Sequence, residues 1–90
     1  MLFVCYVTID PDARDESLAR FMENGMVEPA GVRLHGAWIS LTQQETWSIF
    51  ESESAEAIMA LFEPWTDIHV HQIAPVMDFA SLKKFLGSRQ

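Results

Sequence analysis

Two β-prone runs, residues 31–40 and Glu45–Ser52, flank the short polar connection 41–44 in the middle of the chain. Val, Ile, Trp and Phe suit a pleated, half-buried surface, and a joint of four residues is a common hairpin length. A helical pattern lies on each side of this hairpin, and beyond each helix comes another strand-like run. The resulting order, β-α-β-β-α-β, leaves few ways to build a layered domain, because each helix must cover the sheet its neighbouring strands form.

The outer elements follow from local chemistry. Leu2–Ile9 is apolar at alternate and intervening positions alike, the mark of a central strand. Asp10, Pro11 and Asp12 stop it and start a helix over 12–24, with acids in the first turn and Leu18, Phe21 and Met22 as its apolar stripe. Gly25 suits the residue after that helix, and 26–30 reads as a loop. Ser52 or Ser54 caps a second helix carrying Ala55, Ile58, Met59 and Phe62, which Pro64 ends. The run 67–77 is the last strand. Pro75 within it cannot donate to a ladder, so this strand belongs at an edge. Asp78 caps a short C-terminal helix with Phe79, Leu82 and Phe85 or Leu86, closed by Gly87. The segments LARFME at 18–23 and MALFEP at 59–64 form a weak internal repeat, as two βαβ halves would. The split-βαβ topology of the ferredoxin-like fold has strand order 4-1-3-2, which also puts strand 4 at an edge. The predicted class is therefore α+β, one ferredoxin-like domain over residues 1–90.

Ninety residues bury only about 60–65% of the surface their unfolded form exposes, yet 49% of these residues are hydrophobic. A sheet apolar on both faces in so short a chain predicts a homodimer that covers what the helices leave open. The net charge of −7, with no basic cluster beyond Lys83–Lys84, argues against nucleic-acid binding and against anionic membrane surfaces. Cys5 is the only cysteine, so no intrachain disulfide forms, and the apolar run at the N-terminus has neither a basic flank nor the length to span a bilayer. The expectation is a cytoplasmic protein.

Polarity suggests which side chains share a face. Phe3, Cys5, Val7 and Ile9 are assigned to the helix-covered side, with Trp47 and Ile49 of strand 3, Ile68 and Val70 of strand 4, and Trp38 of strand 2. The open side then holds Val4, Tyr6, Thr8, His35, Ala37, Ile39, Thr46, Ser48, Phe50, His69, His71 and Ile73. Two such faces packed together would enclose an apolar cavity with a few convergent polar groups, the usual make-up of a small-molecule site.

The pattern G-V-x-L-x-G-x-W (Gly31, Val32, Leu34, Gly36, Trp38), a W-x-D-I run at Trp65–Ile68 and P-V at Pro75–Val76 resemble a family of short bacterial proteins of unknown function. That family has the dimeric α/β-barrel fold. The resemblance covers most of the chain, roughly residues 2–86. It implies a homodimeric barrel with an inter-sheet cavity. The wider superfamily includes cofactor-free monooxygenases, isomerases of small ring lactones and haem enzymes, so the resemblance carries over no catalytic residue.

Candidate chemistry is sparse. His69 and His71 form His-x-His on a strand, with side chains on one side roughly 7 Å apart. Two imidazoles at that spacing could share a metal with His35 or a partner's carboxylate. No carboxylate has motif spacing, so the pair is read as metal-free hydrogen-bonding residues, and no cofactor is expected. Tyr6, Ser48 and His71 could serve an enolisable or phenolic ligand, since imidazole titrates near neutrality. The candidate catalytic residues are His71, His69 and Tyr6. The candidate ligand-binding residues are Tyr6, Thr8, His35, Ser48, Phe50, His69, His71 and Ile73. Cys5 reads as core packing, and Trp38, Trp47 and Trp65 as core or interface anchors. The leading expectation is a small dimer binding an apolar or aromatic molecule. The alternatives are a cofactor-independent monooxygenase or isomerase, and a structural interaction domain with a filled interface.

Overall fold

The computed structural model describes residues 1–89. Four strands, β1 (Leu2–Ile9), β2 (Val32–Ile39), β3 (Glu45–Ser52) and β4 (His69–Val76), form one antiparallel sheet in the order β2-β3-β1-β4. Helices α1 (Arg14–Asn24) and α2 (Ala55–Phe62) connect β1 to β2 and β3 to β4, and α3 (Phe79–Ser88) follows β4. This is the ferredoxin-like α+β arrangement expected from the order of elements, with β4 and its Pro75 at an edge.

The helix ends are set by short polar side chains. The Asp10 carboxylate accepts from the Asp12 N–H at 2.9 Å and starts a 3₁₀ turn, Pro11–Ala13, that leads into α1. Gly25 ends α1 at φ 64°, where its N–H donates to the Phe21 carbonyl. Ser54 caps α2 by accepting from the Ala57 N–H, and a 3₁₀ turn at Glu63–Trp65 ends that helix. Asp78 caps α3 by accepting from the Ser81 N–H at 2.7 Å. The α3 helix runs through Gly87 to Ser88 rather than closing at the glycine.

The core lies between the sheet and α2. It consists of Cys5, Val7, Ile9, Val32, Phe50, Ala57, Leu61 and Phe62, with Phe3, Leu34 and Ile58 packed against it. Phe50 is fully buried, stacked on Phe3 and met edge-on by Phe62, each at 5.4 Å between ring centroids. Cys5 is also fully buried, and burial pushes its thiol up to about 11 despite the Ser48 hydroxyl beside it.

The register corrects the faces that polarity suggested. Cys5 pairs with Ser48 and Ile73, Phe3 with Phe50, Val7 with Thr46 and His71, and Ile9 with His69. Residues directly opposite share a face. Thr46, Ser48, Phe50, His69, His71 and Ile73 therefore lie under the helices, not on the open side. Trp47, Ile49 and Val70 lie on the open side with Val4, Tyr6 and Thr8. On β2 a bulge between Leu34 and Gly36 switches the alternation: Val32 and Leu34 share the covered face with Ala37 and Ile39, and Trp38 is open. The physical reason is that the open face carries large apolar groups among its polar ones, while the covered face tolerates polar groups that are hydrogen-bonded or line a cavity.

Candidate functional site

The two helices meet the sheet differently. α2 buries Ala57, Leu61 and Phe62, whereas Ser17 is the residue α1 buries. Its apolar residues Phe21 and Met22 remain exposed. Polar contacts fasten α1 instead. Arg20 donates to both carboxylate oxygens of Asp67 at 2.8 and 2.7 Å, to the Pro64 carbonyl at 3.1 Å and to Glu16 at 2.7 Å. These bonds raise the Arg20 pKa, and the Arg20 guanidinium holds the Asp67 carboxyl below its usual value.

A cavity of about 270 Å³ lies between this loosely packed helix and the sheet. Its walls are largely apolar and include Val7, Leu18, Leu61 and Phe62. Its polar groups are Ser17 from α1, Thr46 and Ser48 from β3, and His69 and His71 from β4. Ser17 Oγ and His69 Nε2 share a hydrogen bond of 2.7 Å. The His69 ring stacks on Trp65 at 5.3 Å and 7° between planes. His71 leans on Phe62 at 4.8 Å and on His69 at 5.8 Å, and among the described residues no side chain hydrogen-bonds to it. Desolvation lowers the pKa of both histidines. The positive Arg20 adds to this at His69, and His69 adds to it at His71. Both imidazoles are therefore neutral near pH 7, one bonded to a serine and one free to meet a ligand.

The sequence-derived candidates thus divide. Ser48, Phe50, His69, His71 and Ile73 share the covered face, and of these Ser48, His69 and His71 line the cavity. Tyr6, Thr8 and His35 are elsewhere. The Tyr6 hydroxyl donates to Glu45 on the open face, which raises its pKa, and its ring lies 5.7 Å from Trp47. His35 bonds Glu51 at 3.0 Å on the open side of β2 and β3. Tyr6 cannot act together with His71, because the sheet separates them. Sequence reasoning missed Ser17 and Trp65 as wall residues. A serine interrupting the apolar stripe of α1 is the one signal that could have pointed to Ser17. Among the described residues no three His, Cys, Asp or Glu side chains converge on one point.

Fold and cavity together define a ferredoxin-like α+β domain with a small apolar chamber beneath its helices. The chain belongs to a family described as a domain of unknown function, DUF3303, whose model matches residues 1–90. No curated protein matches the sequence. Among solved structures it is similar to an uncharacterised NIPSNAP domain protein from Burkholderia xenovorans. The two share 14% identity over 88% of this chain and 97% of the other, with a TM-score of 0.49. Among the described residues no helix is long and apolar enough to cross a membrane.

Proposed function

We propose that this domain binds a small apolar or aromatic molecule in the chamber between its sheet and its helices, as a cytoplasmic homodimer joined through the open face. The chamber itself carries the reading: apolar walls of suitable size with two neutral imidazoles and two serines turned toward one volume. Phe62, Leu18 and Leu61 supply apolar walls against which a flat ring would pack. A hydroxyl or carbonyl on that ring finds the free His71 and the Ser48 hydroxyl. The chamber replaces the inter-sheet cavity expected from polarity, because the polar groups lie under the helices. The dimer draws its support from the opposite face, where Trp38 is 57% and Val70 is 65% exposed.

The test is a titration of isotope-labelled protein with a panel of phenols and indoles, followed by amide chemical shifts. Perturbations at Ser17, Ser48, His69 and His71 are expected, with at least tenfold weaker binding in His71→Ala. If no compound at millimolar concentration moves those amides, or if all shifts fall on the open face, the reading fails.

A second reading has one observation in its favour. A neutral, unbonded His71 in a desolvated chamber is placed to take a proton from a bound enol or phenol, with Ser17–His69 beside it. That would make the protein a cofactor-independent oxygenase or isomerase acting through His71. Turnover of a bound compound, lost in His71→Ala but not in Tyr6→Phe, separates catalysis from binding. The third reading, a structural interaction domain with a filled interface, requires the chamber to stay empty of every ligand tried.

A further inference from the structure

The C-terminal helix α3 has apolar side chains that the rest of its own chain leaves exposed. Phe79 is 86% exposed, Phe85 53%, and Leu82 and Leu86 are exposed as well. These four residues recur at helical spacing and make one stripe. A ten-residue helix is marginal in water without a surface to pack on, so its sequence is written for contact with something.

Charge narrows what that something is. Residues 1–77 carry twelve acids against three bases, a net −9, while residues 78–90 carry three bases against one acid, a net +2. The basic arm with its apolar stripe therefore complements an acidic body with an apolar open face. At the root of α3 that face opens into a crevice of about 810 Å³. Its apolar floor includes Leu2, Ile49 and Val76, and Glu51 stands at its side.

We infer that α3 of one chain packs into this crevice on the open face of a second copy, each subunit clasping the other. Phe79, Leu82 and Phe85 meet the apolar floor, and Lys83 and Lys84 meet the acidic surroundings. The exchange is isologous, because the same stripe and the same crevice occur on both chains. The inference rests on the homodimer reading and adds to it which element forms the contact.

The deciding experiment uses the full chain in a one-to-one mixture of isotope-labelled and unlabelled protein, read by isotope-filtered nuclear Overhauser effects. Cross-peaks between the rings of Phe79 and Phe85 and the methyl groups of Leu2, Ile49 and Val76 across two copies are expected. A full-length Leu82→Glu/Phe85→Glu variant should raise the dimer dissociation constant at least 100-fold, with the chamber's amide shifts unchanged. Lys83→Glu/Lys84→Glu should raise it about tenfold at low salt and less at high salt. A dimer whose α3 contacts lie only within each chain overturns the exchange and leaves the dimer standing. So does a dimer in which α3 contacts nothing, or one held with unchanged affinity in the double variant. A full chain that stays monomeric at 100 μM, on the order of ordinary weak-interface concentrations, overturns both the exchange and the dimer.

Discussion

The two faces of this sheet both mix polar and apolar groups, but for different reasons. The face under the helices carries Thr46, Ser48, Ser52, His69 and His71, whereas the uncovered face carries Val4, Trp38, Trp47, Ile49, Val70 and Val76. Each placement has a physical cause. Ser52 donates to the Gly31 carbonyl and accepts from the Ser54 N–H, so it stabilises the turn into α2. Ser48, His69 and His71 border an opening that α1 does not fill. The polar groups of the covered face are either structural bonds or chamber walls, and the open face leaves Trp38, Trp47, Val70 and Val76 exposed. The difference separates a face with a chamber from a face with exposed apolar residues.

The largest way to break this comparison is at Phe50, the centre of the covered face. Phe50→Ala removes a ring that stacks on Phe3 and meets Phe62. The cost should be about 3–5 kcal/mol, measured by urea unfolding. Trp47, one residue earlier but on the opposite face, should cost far less when replaced by Ala in the monomer. Equal losses at the two positions would mean that both faces are core.

This pair also shows what could be read in the sequence. Element order, strand order and the edge position of β4 were legible, because propensity, caps and Pro75 act locally and agree. The faces were not, because period 2 says which residues share a side and never which side it is. Polarity is the remaining guide, and a chain with polar chamber-lining groups under its helices and large apolar groups on its open face misdirects that guide. The bulge at Leu34–Gly36 then switched the parity of β2 midway. His69 and His71 were still found as a pair, since alternation holds whichever face they take. Ser17 was not, because only tertiary packing brings α1 to within 2.7 Å of His69.

Two glycines, one toward each face, sharpen the comparison. Gly31 holds φ 89°, and a Cβ there would also meet Ala57 of α2 at 3.4 Å. Gly31→Ala should cost about 1–3 kcal/mol through backbone strain. Gly36 needs no positive φ, but a Cβ would come within 2.7 Å of the Trp38 ring that lies across it. That ring is exposed and can swing away, so Gly36→Ala should cost less than Gly31→Ala and shift the tryptophan fluorescence. A larger loss at Gly36 would show that Trp38 is pinned.

Titration separates the faces next. The folded pKa values of His69 and His71 lie below their unfolded value of 6.5. In that window the unfolded chain binds more protons than the folded one, so stability rises with pH. Their contribution is complete above pH 6.5 and is lost as pH falls from there through the folded values. His71→Phe should flatten the melting temperature between pH 5 and 7 while leaving its value at pH 8 nearly unchanged. His69→Ala should also lose about 1–3 kcal/mol at neutral pH, because it strands the Ser17 hydroxyl. A melting temperature of wild type that does not fall below pH 6.5 would place both rings in solvent.

The smallest effect is expected on the open face. Val70 lies between His69 and His71 in sequence yet points away from both, and it is 65% exposed. Val70→Lys therefore removes little buried surface from the single chain and leaves no polar group unsatisfied. Within one subunit the change should stay inside about 0.5 kcal/mol, the range of ordinary surface positions. The measurement is unfolding followed by tryptophan fluorescence at protein concentrations low enough to dissociate any dimer. At high concentration the same substitution places a charge in the middle of the proposed interface, so the midpoint should become less dependent on protein concentration than in wild type. A loss of 2 kcal/mol or more in the dissociated state would require Val70 to sit under the helices. The strand register with Thr8 excludes that placement, since Thr8 and Val70 pair directly on the face opposite Val7 and His71.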